Sequence, residues 1–288
     1  MTDIPAPYVS MRHALSAAFH YAFSRFEYIV RISWPFFLLM LAPVALQYVY
    51  GPIPSFQFKT AEEIRNNLGL ISTVSALTLV YFILFMLMGT AYFILFARDY
   101  FLSERPSRFR HVFWATLWRY IVVGLLSLLV WIGLIICVAA IGGIAALINK
   151  TVGGVIAFAL AAAAFVAVIY IFNRWITWPV AYAVDRPQTL GETWRSSAKA
   201  AWKIFAGYIV LFICFLIVAL IIIAVATLVF GFSMFPRGFP PRPPVAPEQP
   251  GLVTQLVLAI VNTVLSQIVM AICAVFITDI FKQIRSAR

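Results

Sequence analysis

Long apolar runs recur along the chain, and ahead of every second one the pattern changes to apolar and charged residues alternating at helical spacing. Uninterrupted runs of about 20 apolar residues specify membrane-spanning helices, whereas a β-barrel would show short segments of strict alternation. The runs lie at about 32–50, 70–97, 120–148, 155–184, 204–232 and 252–281. They predict an all-α integral membrane protein whose six transmembrane helices form three hairpins in a single polytopic domain, 1–288. A tight turn at 149–154 joins the third span to the fourth.

The alternating stretches lie at about 11–31, 107–119 and 189–203 and predict a cytosolic amphipathic helix at the membrane interface before each hairpin. In the first, His13, Ser16, His20, Ser24, Glu27 and Arg31 form a polar stripe, and Leu15, Ala18, Phe19, Ala22, Phe26 and Ile29 an apolar one. In the second, Phe109, Val112, Phe113, Thr116 and Leu117 share a face, with Arg108, His111 and Arg119 on another. The third is the best defined. Thr189 and Glu192 have capping-box spacing, so each side chain can satisfy backbone N–H groups at a helix start. Leu190, Trp194, Ala198, Ala201, Trp202 and Phe205 then fall on one face, and Glu192, Arg195, Ser196, Lys199 and Lys203 on the other. A helix with aromatics on one side and cations on the other lies in the headgroup plane.

This third stretch follows a break at Trp178-Pro179 and an exit from the membrane at Asp185-Arg186-Pro187. Glu104-Arg105-Pro106 is a second acid-Arg-Pro triplet, 81 residues earlier. Asp99, Asp185 and Asp279 each close an even-numbered span, where they can cap helices or pair with nearby arginines. These echoes predict three copies of one unit, an interfacial helix followed by a hairpin.

Composition sharpens the class. The chain is 64% hydrophobic with a mean hydropathy of +0.98 and only 11% charged residues, against about 25% in soluble domains. The net charge of +11 is unevenly placed. Of 21 Lys and Arg residues, Lys59, Arg65, Lys150, Arg237 and Arg242 fall on one side of the predicted membrane and 16 on the other. That asymmetry places both termini in the cytosol. It assigns the cations to anionic headgroups of the cytosolic leaflet rather than to nucleic acid.

Spans three and four are rich in Ala and Gly, which lets backbones approach closely and predicts the tightest helix contact of the bundle there. Residues 235–250 hold seven prolines and read as a stiff polyproline II connector. Thr60 and Glu63 could cap a short helix in the first outer loop. Cys137, Cys214 and Cys273 lie singly within spans, giving no disulfide or metal framework. The N-terminus carries an acid and two prolines before the first apolar run, so no cleavable signal peptide is expected.

Two groups of residues could carry a binding function. Arg174 lies about 15 Å deeper than Asp185 at helical rise. A cation there either binds an anion or lipid phosphate or snorkels to the interface beside Trp175 and Trp178. With Arg186, Arg195, Lys199 and Lys203 it forms the candidate lipid- or anion-binding set. Gln255, Asn262 and Ser266 share a face of the sixth span, next to Thr263 and Gln267. That seam either lines a cavity or hydrogen-bonds between helices. No zinc-protease motif, nucleophile elbow or phosphate loop is present, and no carboxylate pair lies inside a span. The chain therefore reads as non-enzymatic, with no catalytic, cofactor-binding or metal residues expected.

Arg174, Pro179 and Asp185, followed by Thr193-Trp194-Arg195-Ser196-Ser197 and Trp202-Lys203-Ile204-Phe205, carry a resemblance. This pattern is similar to that of a bacterial six-span membrane-protein group of unknown function, which includes the membrane domain fused to some glycerophosphoryl diester phosphodiesterases. The phosphodiesterase domain has no counterpart within these residues, so its activity is not implied. The resemblance implies a multi-pass protein of the bacterial inner membrane, concerned with lipid or envelope homeostasis. A lipid-interacting or scaffolding role is the first expectation. A transporter of a small or lipidic solute, or a membrane subunit of a larger complex, are the alternatives.

Overall fold

The computed structural model describes residues 9–50, 68–103, 109–230 and 252–286, and among them every regular element is helical. In chain order these are α1 (Met11–Ser24), α2 (Phe26–Ile32), α3 (Trp34–Tyr50), α4 (Leu68–Leu102) and α5 (Phe109–Ile148), then α6 (Lys150–Trp175), α7 (Thr177–Ala183), α8 (Leu190–Ser197), α9 (Ala201–Phe230) and α10 (Leu252–Ser286). The Thr60/Glu63 cap, Glu104-Arg105-Pro106 and the proline-rich 235–250 lie outside the described residues.

Among the described residues, five segments are long and apolar enough to cross a membrane: Ser75–Leu102, Arg110–Leu147, Lys150–Ala183, Ala201–Ile222 and Ala259–Ser286. The predicted first span corresponds to α3, which is not among them. Its 17 residues rise about 26 Å, short of the ~30 Å hydrocarbon core.

The predicted boundaries shift for local reasons. The first interfacial helix is broken at Arg25, whose φ of −108° and ψ of 17° leave the α-helical region. The second has no separate existence. Residues from Phe109 onward form the opening turns of the 40-residue α5, because nothing near Arg119 breaks a helix. The third starts where its capping box places it. The Thr189 side chain accepts from the Glu192 N–H, and the Glu192 carboxylate accepts from the Thr189 N–H. It ends at Ser197, and α9 begins at Ala201. The helix of the fourth span is interrupted at Ile176, two residues before Trp178-Pro179. A proline removes a backbone donor and crowds the preceding turn, so the interruption falls upstream of Pro179 itself.

The turn between α5 and α6 is shorter than expected. Asn149 alone is non-helical, with extended backbone, and its Oδ1 accepts from the Thr151 and Val152 N–H groups as an N-cap. Small residues then hold the two helices together. A Cβ added at Gly153 would lie 2.5 Å from the Ala146 backbone, and one at Gly142 would lie 2.7 Å from the Ala157 Cβ. The predicted close approach of this hairpin is present.

The chain divides into two compact units. The first comprises Met1–Phe23, Thr90–Val210 and Ala271–Arg288. Its core includes Ala14 and Ala18, Phe96 and Ala97, Val180 to Val184, Ile204, and Phe276 with Ile280. The second comprises Ser24–Gly89 and Leu211–Met270. Its core holds Ile29, Phe36, Leu211, Thr263 and Gln267, with Phe36 and Phe85 rings 5.4 Å apart.

On α1 and α8 the inward faces are not those with the largest apolar side chains. On α1 the buried stripe is Ala14, Ala18, Tyr21 and Ala22, while Phe23 is 76% exposed. On α8 it is Thr193 and Ser197, while Trp202 just beyond is 50% exposed. Lipid solvates an aromatic ring as well as a core does, so close approach of backbones decides the face.

Gly207 on α9 shows how close that approach is, since a Cβ there would sit 2.0 Å from the Phe276 ring on α10. Gly207→Ala should lose about 1–3 kcal/mol by overpacking. Gly124→Ala, whose added carbon would meet nothing within 4 Å, should be neutral or gain up to about 1 kcal/mol. Thermal unfolding in mild detergent separates the two, and equal effects would contradict this packing.

Candidate functional site

The polar residues of the first unit fall into three networks and one exposed basic face. The most buried is built on Asp279 of α10, which is 1% exposed. The Tyr100 hydroxyl donates to its Oδ1 at 2.5 Å, and Gln283 Nε2 donates to its Oδ2 at 2.6 Å. Gln283, one turn later, also accepts from the Ser10 N–H at 2.6 Å and donates back to the Ser10 carbonyl. His13 Nε2 lies 4.0 Å from Asp279. Beside this network the Tyr21 hydroxyl donates to Asp99 at 2.8 Å, and the Tyr21 and Tyr100 rings meet edge to face. The segment preceding α1 is thus tied to the end of α10. Lys203 adds to the tie, donating to the Val9 carbonyl at 2.5 Å.

The second network pairs Arg98, 5% exposed, with Asp185. Arg98 Nη1 donates to Asp185 Oδ2 at 2.5 Å and to the Ala183 carbonyl at 3.2 Å. Asp185 sits just past α7 with φ at 52°, in the left-handed region. The Arg186 N–H bonds the Ala181 carbonyl and the Asp185 N–H the Tyr182 carbonyl, the paired bonds of a Schellman cap. Glycine is the usual residue at that position. An aspartate there trades about 1 kcal/mol of backbone strain for a carboxylate that meets a buried guanidinium.

In the third network cations lie on aromatic faces. Arg174 Cζ is 3.8 Å from the centre of the Trp194 ring and 5.7 Å from Tyr170, and its Nη2 donates to the Trp194 carbonyl. The Ser197 hydroxyl returns a bond to the Arg174 carbonyl at 2.7 Å. Arg119 stacks 3.7 Å from Tyr182, and its Nη1 donates to the Ala115 carbonyl at 2.9 Å. The two arginines dock α8 and α7 against the helices that carry them.

Of the candidate cations, Arg186, Arg195 and Lys199 are exposed, and their side chains make no hydrogen bond or ion pair among the described residues. Arg174 and Lys203 are bound internally, as above. In the second unit, Asn262 is exposed, Ser266 is half-buried and the Gln255 side chain lies outside the described residues. The inward seam of α10 is instead Ala259, Thr263 and Gln267, one helical turn apart. Thr263 donates to the Ala259 carbonyl at 2.8 Å, and Gln267, fully buried, has neither amide atom partnered among the described residues.

The sequence placed Asp185 and Asp279 at helix ends but not their partners. Arg98 is 87 residues from Asp185, and Tyr100 is 179 from Asp279. The one available signal was the depth of Arg98, a cation at the end of an apolar run. Among the described residues no cluster of His, Cys, Asp and Glu could hold a metal ion. In comparisons with known proteins, no family model, curated protein or solved structure matches the chain.

The Arg98–Asp185 pair makes a prediction. Asp185→Ala keeps the strained backbone and strands a buried guanidinium, and should cost about 1–3 kcal/mol. Asp185→Gly strands the guanidinium but relieves the strain, and should be better than Asp185→Ala by about 1 kcal/mol. Thermal unfolding of the two variants tests both terms: a reversed order would mean that the backbone at 185 is not strained, and no loss in either variant that the ion pair contributes nothing.

Proposed function

We propose that this protein is a non-enzymatic, lipid-interacting component of a bacterial inner membrane, holding anionic headgroups at its cytosolic face through Arg186, Arg195 and Lys199. The observation that carries this reading is the division of labour among its cations. Arg98, Arg119, Arg174 and Lys203 are committed to partners within the protein. Arg186, Arg195 and Lys199 have none among the described residues and are exposed beside the half-buried Trp194. Basic residues next to interfacial aromatics attract anionic lipid by about 1 kcal/mol per cation. The charge asymmetry of the sequence points the same way, as does the resemblance over residues 173–205. A scaffolding role follows from the same face, since a helix gripping the leaflet fixes the position of the bundle beneath it.

Six spans, with α3 as the shortest, and three hairpins with cytosolic termini complete this reading. The transporter alternative rests on Arg174 and the Asn262 seam. It is the weaker of the two, because Arg174 is stacked on Trp194 and Asn262 faces outward.

The test is lipid retention. Native mass spectrometry after gentle extraction should find anionic phospholipid bound. Arg186→Glu, Arg195→Glu and Lys199→Glu together should lower that retention about tenfold or more, and raised salt should imitate the effect. Unchanged retention in the triple variant would sink the headgroup reading. A small solute released by Arg174→Ala would establish the transporter in its place.

A further inference from the structure

The α5–α6 hairpin carries a groove of about 250 Å³, lined by Trp131, Ile135, Ala139, Gly142, Ala157 and Ala161, among others. We infer that this groove holds one acyl chain of a phospholipid whose phosphate is met by Lys150, in the leaflet at the Asn149 turn. Three observations lead there.

The groove is shaped by what brings the helices together. Near the turn, Gly153 lies against Ala146 and Gly142 against Ala157, so the backbones touch and form a floor. Farther along, the contact passes to large side chains, with the Trp131 and Phe165 rings 6.4 Å apart and edge-on. Between these points the lining is small and apolar, and Ala139, Gly143 and Ala161 remain exposed.

Its size selects the occupant. A space of about 250 Å³ suits a single slender apolar group, and an extended hydrocarbon chain is a thin apolar rod. The lining is almost wholly apolar.

Charge completes the match. Lys150, Ala157, Ala161 and Ala164 stand at i, i+7, i+11 and i+14, on one face of α6. Lys150 is therefore about 10 Å above the groove floor on the groove's own side. It is exposed and has no hydrogen bond or ion pair among the described residues. A cation at the head of an apolar groove is the pattern a phospholipid presents in reverse.

This site is independent of the basic face of α8, which packs at the opposite end of α6 through Arg174. The full chain would be reconstituted in vesicles containing phosphatidylglycerol with a diazirine in its acyl chain, irradiated, and its adducts mapped by mass spectrometry. Adducts should be at least fivefold denser at Ile135, Ala139, Ala157 and Ala161 than at Leu129, Ile136 and Ile144, exposed residues of similar depth on α5. Ala139→Leu with Ala161→Leu should fill the groove and abolish the excess. Lys150→Ser should reduce it for phosphatidylglycerol while leaving a phosphatidylcholine probe unchanged. The triple charge reversal on the α8 side should leave it intact. Adducts spread evenly over both faces in the unmodified protein would overturn the inference. So would crosslinks joining the groove to a second copy of the chain.

Discussion

Inside a bilayer there is no water to compete for a polar group, and this constraint shapes the first unit more than any apolar contact does. A charged side chain at membrane depth costs several kcal/mol unless it meets a partner. Arg98, Asp279 and Arg174 all lie in segments long and apolar enough to cross a membrane, and all are met by other parts of the chain. Their partners come from distant segments, so meeting them brings α1, α4, α7, α8 and α10 together. Specificity of assembly resides in a few polar contacts because the many apolar ones are nearly as well satisfied by lipid.

The same physics explains which way the helices face. In water, Phe23, Trp202 and Trp194 would be core candidates and Thr193 and Ser197 surface ones. Here Thr193 and Ser197 are fully buried and Phe23 and Trp202 are not. Small side chains allow close approach, and their hydroxyls can bond a backbone carbonyl where lipid offers none. Thr193, Ser197, Thr263 and Thr278 each do so to the carbonyl four residues earlier.

What was legible in the sequence follows from this. The helical class and the spans from the second onward rest on length and hydropathy, which act locally. The capping box at Thr189 and the close α5–α6 approach are local too, and both are present. On α1 and α2 the apolar stripe of the sequence contains the buried Ala18, Ala22 and Ile29, while the inward faces of α8 and α10 depend on which neighbours they meet. The pairing of Arg98 with Asp185 and of Tyr100 with Asp279 depends on how distant helices meet, which no single segment records. The independent helix at 107–119 was read from an apolar face opposite a charged one. Without a cap or a breaker, such a face does not end a helix.

The tie between Ser10 and Gln283 has a consequence for the order of assembly. The amide that receives the start of α1 lies on the last helix, and Lys203, which holds Val9, lies on the one before it. As the chain emerges from the ribosome, α4 can already meet α1 through the Tyr21–Asp99 bond, but the contacts of Val9 and Ser10 wait for α9 and α10. Until then the start of α1 has no fixed seat. A chain cut short within α10 before Gln283 would leave Ser10 unmoored, a defect displaced by 273 residues from the lesion that causes it.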